Sequence, residues 1–222
     1  MNESPPLERL LDPAQCLEPS AFIDSDSASV EALAQRVRGE GPPIQKAVRL
    51  FEHVRDEIQY EFRAKLTKDE YRASRVLADG RGFCVQKAVL LCALLRAERI
   101  PSALVLCDLK DYTLPTRIVQ AMGTDTMFHH GLNAIHLNGR WLLADASLSP
   151  DVVERKRYRH VDFNGEYDAL FPKTTLAGAA HAEVIRFHGM YVDLPFSQMM
   201  GAFMSAYAQA DLAALAEMGH RF

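Results

Sequence analysis

Cysteine is scarce in this sequence, and the four present (Cys16, Cys84, Cys92 and Cys107) show neither CxxC nor CxxxC spacing. That excludes a disulfide scaffold and a zinc cage, and points to a reducing compartment. A basic excess is also missing: the formal net charge is −4, and no Lys/Arg cluster is long enough to make a nucleic-acid footprint. No apolar run approaches the roughly 18 residues that a membrane span needs. The first residues, Met1 to Arg9, lack a basic segment followed by an apolar one, so no export signal is expected and a cytoplasmic location is. What remains is ordinary globular composition, 48% hydrophobic and 24% charged. That is enough for one sizeable core.

The most informative stretch is Gly80-Arg81-Gly82-Phe83-Cys84 with the run Val85 to Leu95 behind it. Two glycines make a turn, and the following residues form helix readily with no Gly or Pro among them. Cys84 therefore opens a buried helix, which ends near Ala97 to Arg99 ahead of Ile100-Pro101. The unpaired N–H groups and positive dipole end of a helix favour an anion, so a thiol placed there can act as a thiolate nucleophile. The same N–H groups can bind the oxyanion formed on a carbonyl under attack. A lone cysteine opening a core helix is more often only a small hydrophobe, so the question is whether a base stands nearby.

Leu137-Asn138-Gly139-Arg140 places Asn-Gly between apolar stretches, a strong hairpin signal. A two-residue type I′ loop pairs Leu137 with Arg140, His136 with Trp141, Ala134 with Leu143, Leu132 with Asp145 and His130 with Ser147. Alternation then puts His130, Leu132, Ala134 and His136 on one face with Trp141, Leu143 and Asp145. His130 and Asp145 become diagonal neighbours, roughly 7 Å apart at Cβ and within reach of a hydrogen bond. His129 and Asn133 point the other way. Parity selects His130 over His129, and a bulge between 128 and 133 would reverse that choice. A cysteine at a helix start, a histidine on a strand and an aspartate on its neighbour suit thiol acyl transfer.

These residues resemble the transglutaminase-like superfamily, which shares the papain-like cysteine-protease arrangement. The resemblance rests on features in family order over about residues 28–150. They are Arg55 to Tyr60, then Gly82 to Ala88 with Leu94-Leu95-Arg96-Ala97 and Ile100-Pro101, then His130 through Trp141, and Asp145 four residues after the Trp. It implies an α+β fold with the nucleophile helix packed on an antiparallel sheet, and the roles of nucleophile for Cys84, base for His130 and orienter for Asp145. A small, stand-alone, bacterial-type member fits. The chain departs from the family at Leu132, where an aromatic is common, and at Ala134, where an acidic residue is. No calcium-site cluster like that of the large animal enzymes is visible.

Elsewhere the chain reads as an N-terminal arm over 1–27 packed through Leu10, Leu11, Phe22 and Ile23. Helices follow, one capped at Asp26 or Ser27 and one from Pro43, then a short extended piece at Gln59 to Phe62 and a buried strand over Ser102 to Cys107. Residues 108–127 make a long excursion with a weak helix through Ile118 and Met122. The extension 151–222 carries a basic surface at 152–160, a strand and turn at Val161 to Gly165, and a helix from Pro195. The Phe196, Met199, Met200, Phe203 and Met204 stripe suits core or a homodimer contact, with an acyl-chain groove as the sharper alternative. A last helix runs over Ala210 to Met218. One domain is expected, with no cofactor and no metal; a metal site on His129, His130 and His136 is disfavoured because alternation splits the first two. The function expected is cysteine-dependent acyl transfer on a peptide or small-molecule acyl substrate, to water or to an amine, with no nucleic-acid or membrane partner. The rival is a binding or scaffold protein on the same fold.

Overall fold

A computed structural model describes residues 10–63 and 65–211. After a short 3₁₀ turn at Pro13–Cys16, helix α1 spans Ala28–Val37 and α2 Pro43–Glu57. Strand β1 (Gln59–Tyr60), α3 (Ala73–Asp79) and β2 (Arg81–Gly82) lead to α4, Cys84–Ala97. Then come β3 (Ser102–Asp111), α5 (Thr116–Met122), β4 (Thr126–Leu137) and β5 (Arg140–Ala144), followed by α6 (Pro150–Lys156), β6 (Ala182–Tyr191) and α7 (Phe196–Ala206). Four strands make an antiparallel sheet in the order β5-β4-β3-β6. The fold is the α+β, papain-like and transglutaminase-like one expected.

Helix α4 is the centre. Every side chain from Cys84 to Arg96 is buried, as an all-round apolar helix requires. It packs against α1, α2 and α3 and against β3 and β4. Its two buried cations tie it to its surroundings. Lys87 Nζ donates to the Arg55 and Ile58 carbonyls at 3.2 and 2.6 Å, capping the C-terminal end of α2. Burial pulls that ammonium down to about 7. Arg96 donates to the carbonyls of Ser102, Glu18 and Val192, so one guanidinium joins the start of β3, the N-terminal segment and the chain after β6.

The hairpin has the expected register, Leu137 with Arg140, His136 with Trp141 and Ala134 with Leu143. Both loop residues are left-handed, Asn138 at φ 49° and Gly139 at φ 78°, as a type I′ turn demands. The ladder ends at Asn133 with Ala144, short of the expected Leu132–Asp145 and His130–Ser147 pairs. Beyond it Ala144 bridges to Ala169, and the Asp145 N–H donates to the Ala169 carbonyl at 2.9 Å. The two faces carry different neighbours. Ala103, Val105, Cys107, Leu132 and Ala134 cluster with Cys16, whereas Asn133 on the other face donates to the Ala88 carbonyl of α4. The departures at Leu132 and Ala134 fit this apolar cluster, where an acid would be buried beside hydrocarbon.

Several expectations need correction. Leu10 is exposed rather than packed. Val161 to Phe163 forms no strand, because its backbone and rings serve α2: Arg55 takes the Val161 carbonyl at 2.9 Å and Phe163 packs on Phe51. The turn at Asn164-Gly165 is present. The Met/Phe stripe is split, with Met199 and Phe203 in the core and Met204 exposed. The helix expected over Ala210 to Met218 lies, from residue 212 onward, outside the described residues. No helix among the described residues is long and apolar enough to cross a membrane.

Candidate active site

The loop ahead of Cys84 is held at both ends. Gly80 ends α3 in the left-handed conformation, φ 63°. Strands β1 and β2 then pair in parallel, the N–H groups of Gln59 and Glu61 donating to the carbonyls of Gly80 and Gly82. At the third position of α4, Gln86 reaches back. Its Oε1 accepts the Phe83 N–H at 3.0 Å, and its Nε2 donates to the Glu70 carbonyl at 2.6 Å. Such capping fixes the chain entering the helix. The Cys84 N–H is then one of the first-turn groups that no helical carbonyl satisfies.

Gly131 brings this helix end to the sheet. A Cβ there would lie 2.6 Å from Val85 Cα and 3.0 Å from Val85 N. The start of α4 therefore rests directly on the strand, one residue after His130. A glycine inside a strand is the signal for such close approach.

His130 Nε2 donates to Asp145 Oδ2 at 2.6 Å. Asp145 Oδ1 accepts the Ser147 N–H at 3.0 Å, which orients the carboxylate. Burial opposes charge on His130, but Asp145 and Cys84 outweigh it through charge and hydrogen bonding, so the imidazole is raised well above its ordinary value. Burial likewise opposes charge on Asp145, and His130 with Ser147 wins, holding the carboxyl below its usual value. Both directions describe an imidazolium facing a carboxylate. With Nε2 committed to Asp145, Nδ1 is the nitrogen left for a thiol. The structure thus brings Cys84, His130 and Asp145 together. Burial raises the thiols of Cys16, Cys107 and Cys92, the last to about 11.

The site is closed. Cys84 is 1% exposed and His130 and Asp145 are each 3% exposed. Phe171 lies 5.6 Å from the His130 ring, and a cavity of about 30 Å³ touching Asp145 runs among Leu132, Leu170, Phe171 and Lys173. Helix α7 lies near the same region. Phe203 makes edge contacts with Phe83 and His129, and Tyr207 Oη accepts the Phe128 N–H at 2.9 Å.

His129 sits in a bulge. Cys107 pairs with His130 and Leu109 with Met127, so Phe128 and His129 together face Asp108. His129 takes φ 53°. The irregularity stops before His130, so the parity from His130 to His136 survives. His136 lies against the Trp141 ring.

A family model for the transglutaminase-like superfamily (Transglut_core) matches residues 31–146. The chain belongs to that superfamily. Among solved structures it is similar to a candidate cysteine protease from Cytophaga hutchinsonii, with 20% identity, TM-score 0.47, and coverage of 83% of this chain and 55% of that one. It is also similar to a candidate protease from Parabacteroides distasonis, with 16% identity, TM-score 0.39, and coverage of 61% of this chain and 25% of that one. The chain thus spans little more than half the length of the first and a quarter of the second. No curated protein matches it in sequence.

Proposed function

We propose that this protein is a cysteine-dependent acyl-transfer enzyme in which Cys84 is the nucleophile, His130 the acid–base and Asp145 the group that fixes and charges the imidazole. The observation that carries the reading is a thiol at the start of a buried helix, interacting with a histidine that is itself hydrogen-bonded to a buried aspartate. Cys84 Sγ attacks an acyl carbonyl, and the carbonyl oxygen becomes an oxyanion facing the Cys84 N–H. His130 gives its Nδ1 proton to the departing amine, alcohol or thiol as the bond to carbon breaks, leaving a thioester on Sγ. Water or a second amine then attacks the thioester while His130 takes its proton. The carbon–sulfur bond breaks and the starting pair returns. Asp145 stabilises the imidazolium in both halves.

One observation favours the second reading, a binding or scaffold role: the thiol is almost fully covered. Enzymatic turnover requires the cover to open, whereas scaffolding does not. Incubation with an activated small ester, followed by intact-mass and peptide mass spectrometry, separates the two. The enzymatic reading expects one acyl group per chain on Cys84, none in Cys84→Ala, and release of the acyl group by water or added amine. No acylation, or acylation spread evenly over the four cysteines, would establish the scaffold reading.

A further inference from the structure

Asp108, His129 and His188 form a second polar cluster in the same sheet, outside the proposed triad. One possible ligand atom from each lies within 4.8 Å of the other two. The backbone builds this cluster through bulges on both sides of β3, one opposite Asp108 and one between Leu106 and Cys107. On the β4 side, Phe128 and His129 stand opposite Asp108. On the β6 side, Leu106 pairs with Gly189 and Cys107 with Phe187, which leaves His188 as the extra residue. Bulges re-aim side chains, and here each neighbouring strand turns a histidine onto the aspartate between them.

The side chains complete the arrangement. His188 Nε2 donates to Asp108 Oδ1 at 2.7 Å, and the His129 backbone N–H donates to the same oxygen at 3.2 Å. Both bonds fall on Oδ1, so Oδ2 is the carboxylate oxygen that a cation would take. The two imidazoles stack with centroids 4.0 Å apart and planes 18° apart. His129 Nδ1 is buried with no hydrogen-bond partner among the described residues. A buried polar atom normally has a partner, and His129 also holds a left-handed backbone that favours glycine.

We propose that Asp108, His129 and His188 bind a divalent first-row transition ion, with Zn²⁺ the best match. Two imidazoles and one carboxylate are the ligand types of zinc and related ions, whereas Mg²⁺ and Ca²⁺ prefer oxygen ligands. The ion would clamp β3, β4 and β6 at one level, one residue before His130. Its role is to hold the bulge that keeps His130 on the Asp145 face. The acyl-transfer chemistry needs no metal and the two proposals stand separately.

The test is metal binding to the full chain after chelator treatment, by elemental analysis and Co²⁺ absorption, with thermal melting alongside. The expected result is one Zn²⁺ or Co²⁺ per chain, a raised melting temperature, and no competition from excess Mg²⁺. His188→Ala should weaken binding at least about 100-fold, more than loss of an outer-shell partner usually does. His129→Gly removes a ligand while suiting the left-handed backbone, so it guards against a fold that fails in the first variant. Cys84→Ala should bind as wild type does. The proposal is overturned if wild type binds no stoichiometric metal, if His188→Ala and His129→Gly both bind normally, or if only Cys84→Ala loses the ion.

Discussion

Two histidine–aspartate pairs, one buried and one part-buried, share one sheet and nearly one length, 2.6 Å for His130–Asp145 and 2.7 Å for His188–Asp108. They differ in what stands third. Beside the first is a thiol at a helix start; beside the second is another imidazole, stacked and with one nitrogen lacking a partner among the described residues. They also differ in backbone. The first histidine sits on a regular stretch of β4 and the second is a bulge residue on β6. A histidine–aspartate pair alone therefore assigns no chemistry. The third group decides whether it charges a nucleophile or offers a cation three ligands.

The largest expected effect comes from removing the first histidine. His130→Ala should slow alkylation of Cys84 at pH 6 by about 100-fold or more, the scale of general acid–base help. Next is Asp145→Asn, which keeps the shape and removes the charge; the same rate should fall by at least about tenfold, with the imidazole no longer held as a cation. Gly131→Ala breaks the comparison differently. It forces α4 off β4, so the His130–Asp145 pair remains and the thiol moves away. A loss of about 1–3 kcal/mol in urea unfolding should accompany slower labelling, whereas slow labelling with unchanged stability would mean that the contact at Val85 is not what places the thiol.

Lys87 sharpens the contrast because it is a buried cation satisfied by carbonyls instead of a carboxylate. Its value in the fold is about 7 against 10.5 in the free side chain. Above about 7 the unfolded chain binds a proton there that the folded chain does not, so stability rises with pH until about 10.5. Between pH 7 and 8.5 the gain attributable to Lys87 should be about 1–2 kcal/mol. Lys87→Met should flatten the urea-unfolding profile over that window by the same amount; an unchanged slope would assign the pH dependence to other groups.

What could be read from the sequence was whatever local rules govern. Asn138-Gly139 fixes the hairpin register as far as Asn133 with Ala144, and the parity that follows singles out His130 and Asp145 from the sequence alone, although the ladder stops before the pairs expected at Asp145 and Ser147. Cys84 followed from the glycines and the unbroken helix behind it. The rest depends on contacts distant in sequence. Strand β6 has no clear local signal: it pairs with β3 through bulges, and Gly189 breaks its alternation. Val161 and Phe163 look like strand residues but pack on α2. Gly131 is ordinary until Val85 lies against it. Asp108 and His188 are 80 positions apart, and nothing local marks them as partners.

The most direct test of the central claim is the alkylation rate of each cysteine by a small reagent at pH 6, read by peptide mass spectrometry in wild type and His130→Ala. Cys84 should label far faster than Cys16, Cys92 and Cys107, whose buried thiols are all pushed up, and should lose that advantage without His130. Labelling of Cys84 no faster than Cys16, or untouched by His130→Ala, would contradict the thiol–imidazole pair on which the acyl-transfer reading rests.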